Sequence, residues 1–175
     1  MRGEPEDKTI GTGILERLFR EVRHIEHLGL TGGEPALVPE QIEWIVHLAK
    51  RWGCTIGHFF CATNGKAYSP AFTEALEKLY RYCIQKDQCT LSISFDQFHE
   101  PADPKAVEQY SRLPFYKPVN ERRTLAPNEI LSEGRAKENG LGLTPLPDQR
   151  GLYEYSLKGF HMECRAIVYL HTAAA

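Results

Sequence analysis

Three short polar clusters recur along this chain at almost equal intervals, each closing an apolar run. They are Thr31-Gly32-Gly33-Glu34, Thr63-Asn64-Gly65 and Ser92-Ile93-Ser94-Phe95-Asp96. Thr31 to Asn64 spans 33 residues and Asn64 to Asp96 spans 32. One strand–helix–strand unit takes roughly 30 or more residues, so each interval has room for one such unit. A repeating βα unit implies a parallel sheet. In parallel βα folds the ligand site lies at the C-terminal edge of the strands. The three clusters are therefore expected to meet at one edge.

The segments between the clusters carry the matching periodicities. Leu15, Leu18, Phe19 and Val22 recur at helical spacing, with Thr12 as the expected cap. Residues 24–30 read as a strand. Ile42, Ile45, Val46, Ala49 and Trp52 mark the next helix, with Pro39 in its first turn. Residues 54–63 read as a second strand, rich in β-branched and aromatic side chains. Ser69-Pro70 opens a third helix faced by Phe72, Leu76, Leu79, Tyr80 and Cys83. Residues 90–95 form a third strand. Asp103-Pro104 opens a fourth helix, with Val107, Tyr110 and Leu113 on one face. Beyond Leu113 the rhythm fails. Residues 115–119 read as a short strand weakened by Pro114 and Pro118. Residues 120–127 and 143–151 read as loops, 129–139 as a helix and 164–170 as a last strand. The expectation is a single α/β domain over residues 1–175.

The first cluster has the most chemistry in it. Adjacent glycines allow a tight turn and close approach of backbone to a ligand. Glu34 is expected to point into the same space, and Pro35 fixes the turn. Backbone carbonyls and a carboxylate together suit a small cationic group such as an amine. A phosphate is disfavoured, because Glu34 would repel it. That argues against the alternative of a sugar-phosphate enzyme, which needs a glycine-rich anion loop at a helix N-terminus.

Composition excludes several classes. Net charge is −2 and the sequence pI about 6.4, leaving no electrostatic footprint for nucleic acid. No apolar run approaches the ~20 residues of a membrane-spanning helix. The N-terminal residues are charged and lack a signal-peptide apolar region, so a cytoplasmic location is the default expectation. Cys54, Cys61, Cys83, Cys89 and Cys164 form no CxxC pair. They read as small core hydrophobes rather than as a disulfide framework or zinc site. The seven histidines include no HExxH.

In order and spacing these clusters resemble motifs of the radical S-adenosylmethionine (SAM) enzymes. "LGLTGGEPAL" at 28–37 is similar to the family's second-strand motif. "ATNG" at 62–65 and "SISFDQFHE" at 92–100 resemble its third and fourth strand ends, and "EGRA" at 133–136 a later motif. The resemblance covers most of residues 12–136. It implies a partial (βα)6 barrel, open on one side. It also implies that Gly32, Gly33, Glu34 and Pro35 hold the amino group of SAM. Asn64, Ser94 and Asp96 would lie beside the SAM ribose, its carboxylate or the substrate, and Arg135 would pair with the carboxylate. For His99 a loop role is the simpler expectation.

The family's chemistry is reductive cleavage of SAM by a [4Fe-4S] cluster. The resulting 5′-deoxyadenosyl radical abstracts hydrogen from a small-molecule or peptide substrate, with an external electron donor. Iron–sulfur irons take thiolate ligands, and the family supplies them from CxxxCxxC after its first strand. This sequence has no such triad, and the resemblance places the cluster loop just upstream of residues 1–14. The first strand and cluster loop are then expected to be missing, the chain to be catalytically incomplete alone, and a sheet edge to be open for self-association. The alternative is a non-catalytic SAM- or peptide-binding remnant on the same fold.

Overall fold

A computed structural model describes residues 11–119, together with Thr124, Gly140 and Tyr169–Leu170. The elements alternate as the repeat requires. They are α1 (Thr12–Glu21), β1 (His24–Gly32), α2 (Pro39–Trp52), β2 (Thr55–Thr63), α3 (Pro70–Tyr82), β3 (Thr90–Ile93), α4 (Pro104–Tyr110) and β4 (Tyr169–Leu170). Short 3-10 turns occupy Pro35–Leu37 and Lys86–Gln88. The strand order is β3-β2-β1-β4 and every pairing is parallel. The described part of the molecule is thus α/β with an open parallel sheet.

Two successive crossovers, β1–α2–β2 and β2–α3–β3, move one strand over in the same direction. Right-handed crossovers then place α2 and α3 on the same face of the sheet. These two helices pack against each other, and α1 packs against α2. The layer between helices and sheet is filled by Leu28, Leu30, Phe59, Cys61, Leu91, Ile45, Leu48, Phe72 and Leu76, all fully buried. The opposite face is less covered. There Phe60 pairs in register with Thr90 and Ala62 with Ser92. Phe60 is 37% exposed, and the other three are half-buried.

Local signals explain the element starts. Ser69 Oγ accepts from Phe72 N–H at 3.2 Å, and Asp103 Oδ1 accepts from Lys105 N–H at 2.9 Å. Both are N-caps followed by proline at the first helical position, where a missing N–H costs nothing. Thr12 does not cap α1. It is the first helical residue, and the cap position is Gly11, which has no side chain to offer.

Three boundaries differ from the sequence expectation. β1 runs on through Gly32. β3 ends at Ile93 rather than Phe95, and α3 ends at Tyr82, leaving Cys83 as its C-cap. The strand expected over 115–119 is reduced to one parallel bridge, Leu91 to Tyr116. Leu91 N–H donates to Phe115 O at 2.8 Å, and Lys117 N–H to Leu91 O at 2.9 Å. Pro114 and Pro118 flank that bridge, and neither has an N–H to extend it.

The edge beside β1, expected open, is met at its C-terminal end. There β4 pairs Tyr169 with Thr31 and Leu170 with Gly32. That strand lies inside the 164–170 segment. The loops expected over 120–127 and 143–151 and the helix over 129–139 fall outside the described residues, but for Thr124. No helix among the described residues is long and apolar enough to cross a membrane.

Candidate functional site

The C-terminal edge of the sheet brings two of the three polar clusters into direct contact through Glu34. This residue follows β1 and caps the Pro35–Leu37 turn, with Oε1 accepting from Ala36 N–H at 3.0 Å. The same oxygen accepts from Thr63 Oγ1–H at 2.6 Å, and Oε2 accepts from Asn64 N–H at 2.7 Å. Three donors therefore converge on one half-buried carboxylate. Its side chain spans from the end of β1 to the end of β2, instead of standing clear beside the glycines. The left-handed conformation at this edge is found at Gly65, with φ +64°. Gly65 N–H donates to Thr63 Oγ1 at 3.2 Å, completing a tight turn after β2. An added Cβ at Gly65 would crowd Ile93 and Ala102, each at 3.0 Å.

The third cluster joins by backbone. Ser94 N–H donates to Thr63 O at 2.8 Å, and Asp103 N–H donates to Gly65 O at 2.9 Å. Asn64 Oδ1 accepts from Lys66 N–H at 2.8 Å, which leaves the amide NH2 as the donor Asn64 can offer a ligand. Ser94 also lines a cavity of about 220 Å3 with Ile93, Phe95, Ala102, Tyr116 and Val119. Sites that enclose a drug-sized ligand run to ~300–1,000 Å3. This cavity can take one ring system rather than a whole nucleoside with its substituent.

Asp96 and His99 form a pair at the rim. Asp96 Oδ1 accepts from His99 Nδ1 and from Phe98 N–H, both at 2.8 Å. Burial pushes the Asp96 carboxyl up. The His99 and Phe98 hydrogen bonds and the His99 charge outweigh it, so the net shift is downward. A carboxyl whose pKa is depressed by folding stabilises the fold above the ordinary aspartate range, near 3.9. That contribution disappears as pH falls through the lower folded value. Asp96→Asn is expected to flatten the acid limb of the stability–pH profile below about pH 4. The loss at neutral pH should be at most about 1 kcal/mol, because His99 is well exposed to solvent. Urea melts across that pH range read both effects. An unchanged acid limb would count against the pair.

Of the residues singled out from sequence, Gly32, Gly33, Glu34, Pro35, Asn64, Ser94 and Asp96 all lie at this edge. Arg135 lies outside the described residues. Two further residues take part, Thr63 of the second cluster and His99, for which the sequence implies a loop role. Thr63 is 2% exposed and holds Glu34; period-2 alternation along β2 puts it on the buried face, where a hydroxyl needs a partner. His99 is fixed by Asp96, three residues earlier in the same loop.

The thiols lie elsewhere. Cys54 precedes β2 and Cys61 lies within it, while Cys83 and Cys89 flank the turn before β3; all four are buried. Burial raises the Cys54 thiol to about 11, despite Arg23 nearby. It raises Cys61 further, with Glu34 adding to the effect. Among the described residues no three His, Cys, Asp or Glu side chains form a metal-binding group. The described residues therefore do not fit a [4Fe-4S] cluster. They do offer hydroxyl, amide, carboxylate and main-chain groups to a polar organic ligand at the sheet edge. Compared with known proteins, the chain matches no family model, no curated protein and no solved structure.

Proposed function

We propose that this chain is the SAM-binding part of a radical SAM enzyme, built as a partial (βα)6 barrel. The observation that supports this reading most is the joining of three strand ends at one sheet edge. Glu34 ties β1 to β2, and Thr63 O ties β2 to the segment after β3. In that reading the main chain at Gly32-Gly33 receives the amino group of SAM, and Glu34 holds those carbonyls in place through Ala36, Thr63 and Asn64. Pro35 keeps the turn from relaxing. The Ser94 hydroxyl and the Asn64 amide donate to carboxylate or ribose oxygens, and Asp96 accepts from ribose hydroxyls. Arg135 is the candidate partner for the SAM carboxylate. Bound SAM, given an electron by a reduced cluster, would supply the radical that acts on an organic substrate. This chain's described residues bind and orient; the cluster thiolates would come from sequence N-terminal to them.

The test joins the chain to the coding sequence preceding the Met1 codon and reconstitutes the product anaerobically with iron and sulfide. Iron–sulfur absorption that changes when SAM is added is expected. Its absence overturns the enzymatic reading. One observation favours the alternative of a non-catalytic SAM- or peptide-binding module, namely that all four described thiols are buried. Calorimetry distinguishes the two. Under the alternative, SAM binds the chain without iron, and Ser94→Ala weakens that binding several-fold, by about 1 kcal/mol.

A further inference from the structure

The segment between β3 and α4 joins a cavity to a histidine. Its two ends line the cavity of about 220 Å3, Ser94 and Phe95 from one side and Pro101 and Ala102 from the other. Its middle carries the Asp96–His99 pair. Asp96 to His99 is a tight turn, in which His99 N–H donates to Asp96 O at 3.4 Å and Phe98 N–H to Asp96 Oδ1 at 2.8 Å. His99 is two residues from Pro101, so their Cα atoms lie within about 7 Å. The imidazole is thus carried at the rim of the cavity. Two ties fasten the segment to the turn after β2. Asp103 N–H donates to Gly65 O at 2.9 Å, and Lys66 Nζ meets Glu100 Oε2 at 2.8 Å.

The pair fixes which ring nitrogen is free. A carboxylate only accepts, so the contact from Asp96 puts the hydrogen of neutral His99 on Nδ1 and the lone pair on Nε2. Among the described residues Nε2 meets no hydrogen-bond partner, and the side chain is 39% exposed. The other described histidines are engaged differently. His24 and His58 have both ring nitrogens bonded to neighbouring side chains, His27 holds His58, and His47 stacks on Trp44. Against the effect of burial, the hydrogen bonds from His99 and Phe98 keep the Asp96 carboxyl low, so it is ionised at neutral pH. A positive charge forming on the ring then meets a fixed negative one, the arrangement of an oriented base.

The cavity decides what can bring a proton there. None of its lining side chains is charged. Its hydroxyls are those of Ser94 and Tyr116, and burial pushes the Tyr116 hydroxyl up, so it too is neutral. The rest of the lining is apolar, and the exposed side chains of Phe95 and Val119 extend that surface outward. An apolar cavity of roughly 150 Å3 holds benzene, so this one takes a ring with a small substituent.

We propose that this cavity and His99 form a proton-transfer site for a neutral single-ring compound bearing a weakly acidic hydroxyl. The ring enters beside Val107, Tyr116 and Val119, and the hydroxyl stays at the rim. Its O–H bond breaks, the electron pair remains on oxygen, and the proton forms an N–H bond at His99 Nε2. Nothing is oxidised or reduced, and the imidazolium is balanced by Asp96 on one side and the new oxyanion on the other. The site needs no SAM and is tested without it, so its failure and the failure of the SAM reading are separate results.

Para-nitrophenol reports both halves, because its phenolate absorbs where the neutral phenol does not. The full chain is titrated with it just below neutral pH, where the free probe is mostly neutral. Saturable binding is expected, with a larger phenolate share in the bound probe than in the free one. His99→Gln, at an exposed position, should keep the binding and lose the extra phenolate. Val119→Trp, also exposed, should close the cavity and lose the binding, with the urea midpoint unchanged. Benzoate, a ring that arrives already charged, should not displace the probe. The proposal is overturned by any of four results. They are no saturable binding to wild type, an equal phenolate band in His99→Gln, full binding by Val119→Trp, or displacement by benzoate.

Discussion

Glu34→Ala is expected to destabilise the protein by about 3–4 kcal/mol, far more than loss of an ordinary surface carboxylate. Hydrogen bonds to a charged group contribute ~1.5–3 kcal/mol each, and they do not add fully when they share one acceptor. Three donors share this one, at 2.6, 2.7 and 3.0 Å. Thr63 is buried at 2% exposure, so its hydroxyl cannot turn to water when the carboxylate goes. Glu34→Gln should recover less than half of the loss. Its amide presents a donor to a site in which Ala36 N–H, Thr63 Oγ1–H and Asn64 N–H are also donors. Thr63→Val removes one of the three donors at nearly constant shape and should cost about 1–2 kcal/mol. In a double-mutant cycle the two sites should couple by more than about 1 kcal/mol. Urea denaturation with an unchanged m-value reads all four variants against wild type. If Glu34→Ala falls within about 0.5 kcal/mol of wild type, the carboxylate is not bracing the strand ends. It is then available for a ligand, as the sequence reading had it.

That contrast shows which parts of this molecule could be read from its sequence. The caps at Ser69 and Asp103 and the 33- and 32-residue spacing of strand ends are local signals. Each rests on residues a few positions apart or on simple alternation, and the structure follows them. The direction of Glu34 is not local. Its partners Thr63 and Asn64 are 29 and 30 residues away, and only the register of β1 on β2 brings them near. The end of β3 is decided in the same way. Ser94 and Phe95 continue an apolar alternation, but their edge neighbour makes its single bridge at Leu91. On the other side β2 ends at Thr63, opposite Ile93, so past Ser94 neither neighbour offers a ladder and the chain turns off into the loop of Asp96 and His99. Thr12 shows the reverse error. A good capping residue one position too late is absorbed into the helix, and Gly11 takes the cap position without a side chain.

Gly57→Ala should be nearly as costly, at about 3 kcal/mol, for a reason visible only in the assembled sheet. An added Cβ would overlap the carbonyl oxygen of Glu26 and stand 3.2 Å from its carbon. That oxygen is backbone of the neighbouring strand, so it cannot swing away as a side chain could. The flanking pairs His24–Thr55, Ile25–Ile56 and His27–His58 hold β1 and β2 in register on either side. The strands must part locally, and the strain spreads into a chain of hydrogen bonds across them. His24 Nδ1 lies 2.7 Å from Thr55 Oγ1 and His24 Nε2 2.8 Å from Glu26 Oε2. Gln85 then links Glu26 to His58, and His58 Nε2 lies 2.7 Å from His27 Nδ1. Overpacking of this kind costs ~1–3 kcal/mol in side-chain cores and more where backbone must move. Chain entropy alone predicts the opposite sign, since replacing glycine with alanine stabilises by ~0.4–1 kcal/mol where the conformation permits. Gly13→Ala supplies the control. Gly13 lies inside α1, and nothing stands within 4 Å of its added Cβ. It should gain about 1 kcal/mol from helix propensity. Opposite signs for the two substitutions in urea melts are the expected result. A neutral or stabilising Gly57→Ala would mean that β1 and β2 do not approach each other this closely, and the register placing Glu34 against Thr63 would fall with it.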